Sequence, residues 1–250
     1  MEKTKTTGKK KSNLRPIQIF YQPVFDVRLN MAIDYEISMR INDRYVGVIE
    51  QDTFIPIAKK SRQICDIEKW AIEECCDAII RCEKRDVDIN SIIMPMSIRH
   101  LTWKNFLLRV SKTIEKKDIY PDKFCFNINE NIFENKKEQV VQNIKDAREF
   151  GFKFSIDDFG VEFTSLSHLG QYDVDYIGVH ENLVDEILTS ERAQNVVQGI
   201  IDFAKKIETK VRVDGVDCEE KATMLRKMGV DQMKGKFYGK PIAERRIKIN

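Results

Sequence analysis

The sequence lacks any long apolar run, and no segment approaches the ~18 consecutive apolar residues that a membrane-spanning helix requires. The N-terminal segment is rich in Lys, Thr and Ser and has no apolar centre, so it does not have the pattern of a secretory signal peptide. We therefore interpret residues 1–15 as a flexible basic tail and residues 16–250 as one folded domain.

A large charge imbalance and paired CxxC cysteines are also missing. The 250 residues carry a formal net charge of +2, and much of the lysine excess lies in the tail. A dedicated nucleic-acid-binding protein would be more basic, so we expect no nucleic-acid partner. The six cysteines include Cys75, Cys76 and Cys82, which share a helical pattern with apolar neighbours. We expect buried, reduced thiols in a cytoplasmic protein rather than disulfides or a zinc site.

What the chain does contain is a repeated alternation of β-rich and helical segments. The first two β-rich segments, residues 17–21 and 32–40, are close enough in sequence to form an antiparallel hairpin. Further short apolar runs, separated by amphipathic helical patterns, lie at residues 91–97, 124–128, 154–156, 174–179, 210–213 and 231–234. This order predicts an α/β fold, a modified (β/α)8 TIM-type barrel with an antiparallel first strand, whose functional groups lie at the carboxyl ends of the strands.

Two adjacent carboxylates, Asp157 and Asp158, end one of these predicted strands and precede a Phe-Gly turn. Each negative charge raises the cost of the other, unless a cation or a basic group lies between them. A solvated turn is the alternative interpretation, since Asp and Gly are common turn residues. Other polar residues predicted at strand ends are Glu36, Asn127, Glu130, Asp214 and Lys234.

Six short motifs follow one another in a characteristic order: Gln22–Val24, Tyr35–Arg40, Phe54–Ala58, Asp157–Gly160, Asp214–Asp217 and Gly235–Pro241. Together they resemble the EAL family, the phosphodiesterase domains of bacterial cyclic di-GMP signalling. The resemblance runs from about Gln18 to Ala243. It implies two Mg²⁺ or Mn²⁺ ions in the barrel mouth, which activate a water and open the cyclic dinucleotide.

The chain departs from this pattern at several positions. Glu36, Asp157 and Asp158 match the family's acidic residues, and Asp214 stands where a Glu is usual. The resemblance also implies an Asn, a Glu, a Lys and a Gln at four positions that here hold Pro95, Asn127, Gly178 and Lys234. We therefore expect a degenerate site that has no catalytic residues and binds no metal. Mg²⁺ or Mn²⁺ is expected only if the residual site is active.

Lys234 introduces a positive charge at a position that should face the residual carboxylates. We expect its ammonium to lie within a few Å of Asp157 or Asp158 and to replace part of the missing metal charge. The alternative is that Lys234 extends into solvent. His100 is interpreted as a surface or helix-packing residue.

These departures favour a catalytically inactive regulatory domain that binds another protein, with a homodimer as a further candidate. The alternative is a receptor that binds cyclic di-GMP without hydrolysis through Gln22, Arg40, Asp157 and Asp214, because Arg is suited to bidentate phosphate contacts. A third hypothesis is an active, metal-dependent cyclic di-GMP phosphodiesterase.

Overall fold

The computed structural model describes residues 17–129, 138–160 and 172–248. The predicted basic tail, residues 1–15, and the candidate residue Glu130 lie outside these ranges. All six cysteines lie within them and are free; five are buried, and Cys218 is partly exposed.

The strands form one sheet that closes into a barrel. They are β1 (Ile17–Asp26), β2 (Met31–Asp43), β3 (Gly47–Glu50), β4 (Ser91–Pro95), β5 (Phe124–Asn129), β6 (Lys153–Phe159), β7 (Tyr176–Val179), β8 (Lys210–Val213), β9 (Gln232–Lys234) and β10 (Ile242–Ala243). Strands β2 and β4 to β9 run in parallel around the barrel, and β1 closes it through antiparallel pairing with both β2 and β9. The predicted TIM-type barrel with an antiparallel first strand is confirmed.

Seven helices cover the outside of the barrel in the described part of the chain. They are α1 (Gln51–Ser61), α2 (Ile64–Glu83), α3 (Ile98–Leu101), α4 (Phe106–Glu115), α5 (Glu138–Phe150), α6 (Glu191–Lys206) and α7 (Glu219–Met228). None of the described helices has the length and apolar character needed to cross a lipid bilayer.

Helix α6 shows how local sequence positions these elements. The Ser190 hydroxyl accepts a hydrogen bond of 3.2 Å from the backbone N–H of Ala193, which satisfies an unpaired donor of the first turn. Val197, Ile201 and Ala204 follow at helical spacing and are buried. Burying this stripe holds α6 against the barrel.

The large apolar core lies between the strands and the helices, and the inside of the barrel is mostly polar. Phe126 and Phe154 point outward and pack with their ring centroids 5.5 Å apart. A small apolar cluster of Val24, Ile93 and Cys125 lies apart from that core. Because side chains alternate along a strand, the residues next to the outward phenylalanines face the barrel interior.

Candidate functional site

The carboxyl ends of the parallel strands bring three acidic side chains and one lysine together. Glu36 lies on β2, Asp157 on β6, Asp214 follows β8, and Lys234 ends β9. Lys234 pairs in register with Val24 of the antiparallel strand β1, and its carbonyl accepts a hydrogen bond of 3.1 Å from the backbone N–H of Val216. The barrel thus gathers residues from four distant parts of the sequence at one mouth.

Lys234 joins two of these carboxylates. Its Nζ lies 2.7 Å from Glu36 Oε2 and 2.7 Å from Asp214 Oδ2, and its side chain is 13% exposed. The structure therefore differs from the sequence-based expectation that Lys234 would pair with Asp157 or Asp158. The reason is strand order, since β9 adjoins β8 and is joined to β2 through β1, whereas β6 lies farther along the sheet.

The charges of this group shift the pKa values of its members. Burial alone would raise the pKa of Glu36, but the positive charges of Lys234 and Arg212 outweigh it, so that pKa lies below its ordinary value. Burial lowers the pKa of Lys234, but Glu36 and Asp214 raise it well above its ordinary range. Burial dominates at Asp214 and raises its pKa. The Glu36–Lys234 pair is therefore fully ionised at neutral pH.

Asp157 has the environment of a proton-transfer group. Burial, together with the negative charges of Glu36 and Asp214, raises its pKa to about 7. Its Oδ2 accepts a hydrogen bond of 2.6 Å from the Asn127 amide. A carboxyl group with a pKa near the working pH suits general acid or base catalysis.

Asp158 contacts different residues from those that contact Asp157, although the two are adjacent in the sequence. Its backbone has a left-handed φ of 57°, which Asp tolerates better than most residues, and the β6–β7 pairing is irregular at this point. Its Oδ2 accepts a hydrogen bond of 3.0 Å from the Asn129 amide, and His180 Nε2 lies 3.8 Å from its Oδ1. The two carboxylates therefore have different protein partners.

Arg212 of β8 is the site residue that sequence analysis missed. It is 0% exposed, and its Nη2 donates hydrogen bonds to Ser155 (3.0 Å) and Asn127 (3.3 Å). Its Nε and Nη1 atoms have no hydrogen-bond partner among the described residues. The negative charges of Glu36 and the other acidic groups outweigh burial and raise its pKa. The sequence signal that could have identified it is a charged residue between two valines in the short strand β8.

Gly178 makes room for the acidic group. It pairs in register with Arg212, and a Cβ atom added to it would lie 2.8 Å from Asp157 Oδ1. A lysine, which the family resemblance implies at this position, would force Asp157 to move. The Asp157 side chain can therefore occupy this position because residue 178 is a glycine.

Gln22 and Arg40, the other predicted ligand contacts, lie at or beyond the same mouth. Gln22 pairs with Glu36 across the β1–β2 hairpin, and its amide donates a hydrogen bond of 3.1 Å to the Gly239 carbonyl. Arg40 lies farther along β2, where its Nε is 2.9 Å from Glu50 Oε2, and its guanidinium stacks over Phe20. Arg40 is one-third exposed and open to an anionic ligand.

A cavity of about 360 Å³ opens beside these groups. Its polar wall includes Asn127, Asn129, Asp157 and Asp158, and its apolar wall includes Met39, Pro56 and Pro95. Ligand pockets in proteins commonly measure about 300–1,000 Å³ and combine these two kinds of wall. Pro95 therefore contributes apolar surface where the resemblance implies a metal-binding amide.

A larger cavity of about 610 Å³ lies elsewhere, beside Trp70 and Arg81. Three of its charged side chains already pair, since Arg81 bonds Glu74 at 2.8 Å and Glu244 at 2.7 Å. The perturbed acidic groups lie at the carboxyl-end mouth, which is therefore the better candidate site.

The acidic group does not fit a divalent metal ion as it stands. Mg²⁺ and Mn²⁺ require several oxygen ligands, and Glu36 and Asp214 each direct one oxygen to the Lys234 ammonium. Pro95 contributes no side-chain oxygen. A metal ion at these two carboxylates would have to displace Lys234.

A second group of metal-binding residue types lies between α2 and α3. The ligand atoms of Cys65, Glu68 and His100 all lie within 4.8 Å of one another, and all three residues are buried. His100 Nδ1 is 3.0 Å from Glu68 Oε2, and Glu68 also accepts hydrogen bonds from Ser97. His100 is thus a buried, hydrogen-bonded residue that packs against Trp103, rather than a surface residue.

Comparison with known families identifies the barrel. The profile described as "EAL domain" matches residues 11–241. The chain belongs to the EAL domain family. The EAL resemblance of the six motifs is thereby confirmed.

Among the relatives that this chain matches, the Oxygen sensor protein DosP of Escherichia coli (strain K12) is 25% identical over 231 residues, which is 92% of this chain and 29% of DosP. The Cyclic di-GMP phosphodiesterase NbdA of Pseudomonas aeruginosa is 21% identical over 226 residues, 90% of this chain and 29% of NbdA. The chain thus spans under a third of the length of either relative.

A solved structure, the PaMucR phosphodiesterase in complex with c-di-GMP, has the same fold. It superposes with a TM-score of 0.86 at 19% identity, covering 94% of this chain and 95% of that one. This likeness extends over the whole barrel.

Two sequence-based predictions need correction. The names of NbdA and PaMucR contradict the prediction that this EAL domain is not an enzyme, because both are named phosphodiesterases. The prediction of no metal cofactor is also contradicted. The EAL resemblance implies divalent metal ions, and Cys65, Glu68 and His100 form a group that could hold one.

Proposed function

We propose that residues 16–250 act as one EAL domain of a cyclic di-GMP signalling protein and bind cyclic di-GMP at the carboxyl end of the barrel. The observation that carries the proposal is the grouping of Glu36, Asp157 and Asp214 beside a cavity of ligand size, with Arg40 on the same side of the barrel. Membership of the EAL family and the c-di-GMP complex of PaMucR support this ligand.

The reaction we propose is hydrolysis of one phosphodiester bond, which converts the cyclic dinucleotide to a linear one. The names of NbdA and PaMucR support this activity. In this chain Asp157 is the residue suited to move a proton, because its pKa of about 7 allows both protonation states near neutral pH.

Binding and turnover are tested separately. Isothermal titration calorimetry of the protein with cyclic di-GMP, in buffers with EDTA, Mg²⁺ or Mn²⁺, should show saturable binding. Chromatography of the mixtures that contain Mg²⁺ or Mn²⁺ should show the linear dinucleotide, and the EDTA mixture should not. Absence of binding in all three buffers would refute the proposed ligand.

Asp157→Asn is the matched variant for turnover, because it keeps the size of the side chain and its contact with Asn127. It should lose turnover and retain ligand binding. Equal turnover in the variant would show that Asp157 does not move the proton.

A protein partner, including a second copy of this chain, is a second candidate. The feature that favours it is the outer strand β3, which pairs only with β2 in the described part of the chain. Val48 on this strand is 60% exposed, and Tyr45 and Val46 in the turn before it are 89% and 75% exposed. Exposed apolar strand edges promote strand-to-strand association. Sedimentation of the protein and of Val48→Ser would test this candidate, and a monomer at all concentrations would exclude the homodimer.

A further inference from the structure

Lys234 lies where it blocks two acidic ligands of the barrel mouth. We infer that Lys234 competes with divalent metal ions for Glu36 and Asp214, and thereby sets the metal affinity of this site. The inference rests on the proposed function for its biological meaning, but the metal competition can be measured without any nucleotide.

The geometry leaves the ammonium little freedom. Lys234 donates to both carboxylates at 2.7 Å, and the side chains of Glu36, Asp214 and Lys234 are 20%, 19% and 13% exposed. The backbone of β9 is paired with β1 on one side and with β8 on the other. A paired and mostly buried lysine is not readily displaced, because its carboxylate partners would first lose their compensating charge.

The charges of the group oppose a second cation. Arg212 is fully buried, and its charge lowers the pKa of Glu36, as does that of Lys234. Two permanent positive charges therefore already accompany Glu36, Asp157 and Asp214. A divalent ion that entered beside Lys234 and Arg212 would be repelled by both positive charges. An ion that replaced the Lys234 ammonium would gain the carboxylates of Glu36 and Asp214 as ligands.

An acidic oxygen remains available if the lysine leaves. Asp214 Oδ1 is buried and has no hydrogen-bond partner among the described residues. Hard cations such as Mn²⁺ prefer carboxylate oxygens of this kind. Removing the ammonium should therefore create a better metal site rather than simply an unbalanced acidic cluster.

The experiment measures Mn²⁺ affinity by calorimetry in the absence of nucleotide. Lys234→Gln and Lys234→Met remove the charge and keep much of the side-chain volume. Both should bind Mn²⁺ about 10–100-fold more tightly than the unchanged protein, the range over which neighbouring groups alter metal affinity. Circular dichroism confirms that each variant is folded.

Lys123→Gln is the matched control, because Lys123 also forms a 2.8 Å ion pair, with Asp88, but precedes β5 at the opposite end of the barrel. Its Mn²⁺ affinity should not change. Adding Asp214→Asn to Lys234→Gln should remove most of the gain. Equal Mn²⁺ affinity in the unchanged protein and both Lys234 variants would overturn the inference.

A second readout needs no variant. Lys234 should be shielded from acetic anhydride in EDTA and should react faster at high Mg²⁺, because the metal displaces it from Glu36 and Asp214. Mass spectrometry reports the labelling of Lys234 relative to Lys123. Unchanged labelling across the Mg²⁺ titration would count against competition. If the unchanged protein did not bind cyclic di-GMP but the Mn²⁺ and labelling results were as expected, the proposed function would be refuted and this inference would stand.

Discussion

Strands β2 and β9 make polar contacts at two levels inside the barrel, and the two levels differ in the charge of the donor side chains. At the lower level, Asp34 of β2 accepts hydrogen bonds from Gln232 of β9 (2.6 Å), Ser91 (2.6 Å) and Asn90 (2.7 Å). At the upper level, two residues farther along each strand, Glu36 accepts from Lys234. Asp34 is 1% exposed, whereas the side chain of Glu36 is 20% exposed.

The difference shows how one scaffold separates stability from function. Neutral donors in fixed positions satisfy Asp34, and each would lose a partner if the carboxylate were removed. Glu36 and its neighbours instead depend on full charges, for which another cation or an anionic ligand can compete. The lower level should therefore control folding, and the upper level should control binding.

The largest expected effect is that of Asp34→Ala. Three donors would lose a charged acceptor, and such bonds each contribute roughly 1.5–3 kcal/mol, so the free energy of unfolding should fall by about 5 kcal/mol. Urea unfolding measures it. Glu36→Ala, the matched variant two residues away, should cost less because Lys234 keeps Asp214 and is partly solvated. Equal losses would remove the proposed distinction between the two levels.

The second effect is a pH dependence that belongs to the upper level. The pKa of Asp157 is raised by burial and nearby carboxylates to about 7 in the folded protein, so the folded state binds the proton more tightly than the unfolded state. This contribution to stability is present at low pH and is lost as pH rises towards about 7. One pKa unit corresponds to about 1.4 kcal/mol, so the loss should not exceed about 4 kcal/mol.

Thermal and urea unfolding from pH 4 to 8, in EDTA, measure this dependence. Asp157→Asn should flatten the profile, because the amide does not titrate. Asp158→Asn is the control, since the Asp158 side chain is 42% exposed and has separate partners. A profile that keeps its full slope in Asp157→Asn would assign the pH dependence to another group.

The smallest expected effect is that of Arg40→Ala. A phosphate contact by a partly exposed arginine should contribute about 1.4 kcal/mol, so cyclic di-GMP affinity should fall about tenfold. Stability should change by less than about 0.5 kcal/mol, because the Arg40–Glu50 pair is solvent-exposed. Calorimetry and urea unfolding separate the two quantities.

Glu50→Ala is the control for this variant, since it frees Arg40 from its ion pair without removing the guanidinium. It should leave the affinity unchanged or raise it. A loss of affinity in Glu50→Ala that matches Arg40→Ala would mean that the ion pair, and not the arginine, forms the ligand contact.

Several elements were predictable because their patterns are local. The 17–21 and 32–40 segments both lie in strands, and together they form the expected hairpin. In both cases short-range periodicity and turn residues decide the element. Arg212 was missed because a single arginine in a strand does not show which way it faces until the sheet closes.

The sequence by itself determined the order of strands and helices, the EAL motifs and the positions of the acidic residues at strand ends. Only the tertiary structure decided which charges meet. Glu36 and Lys234 are 198 positions apart, and barrel closure through the antiparallel strand β1 brings them to 2.7 Å. Strand register selects such long-range partners, because a shift of one residue turns every side chain to the other face of the sheet.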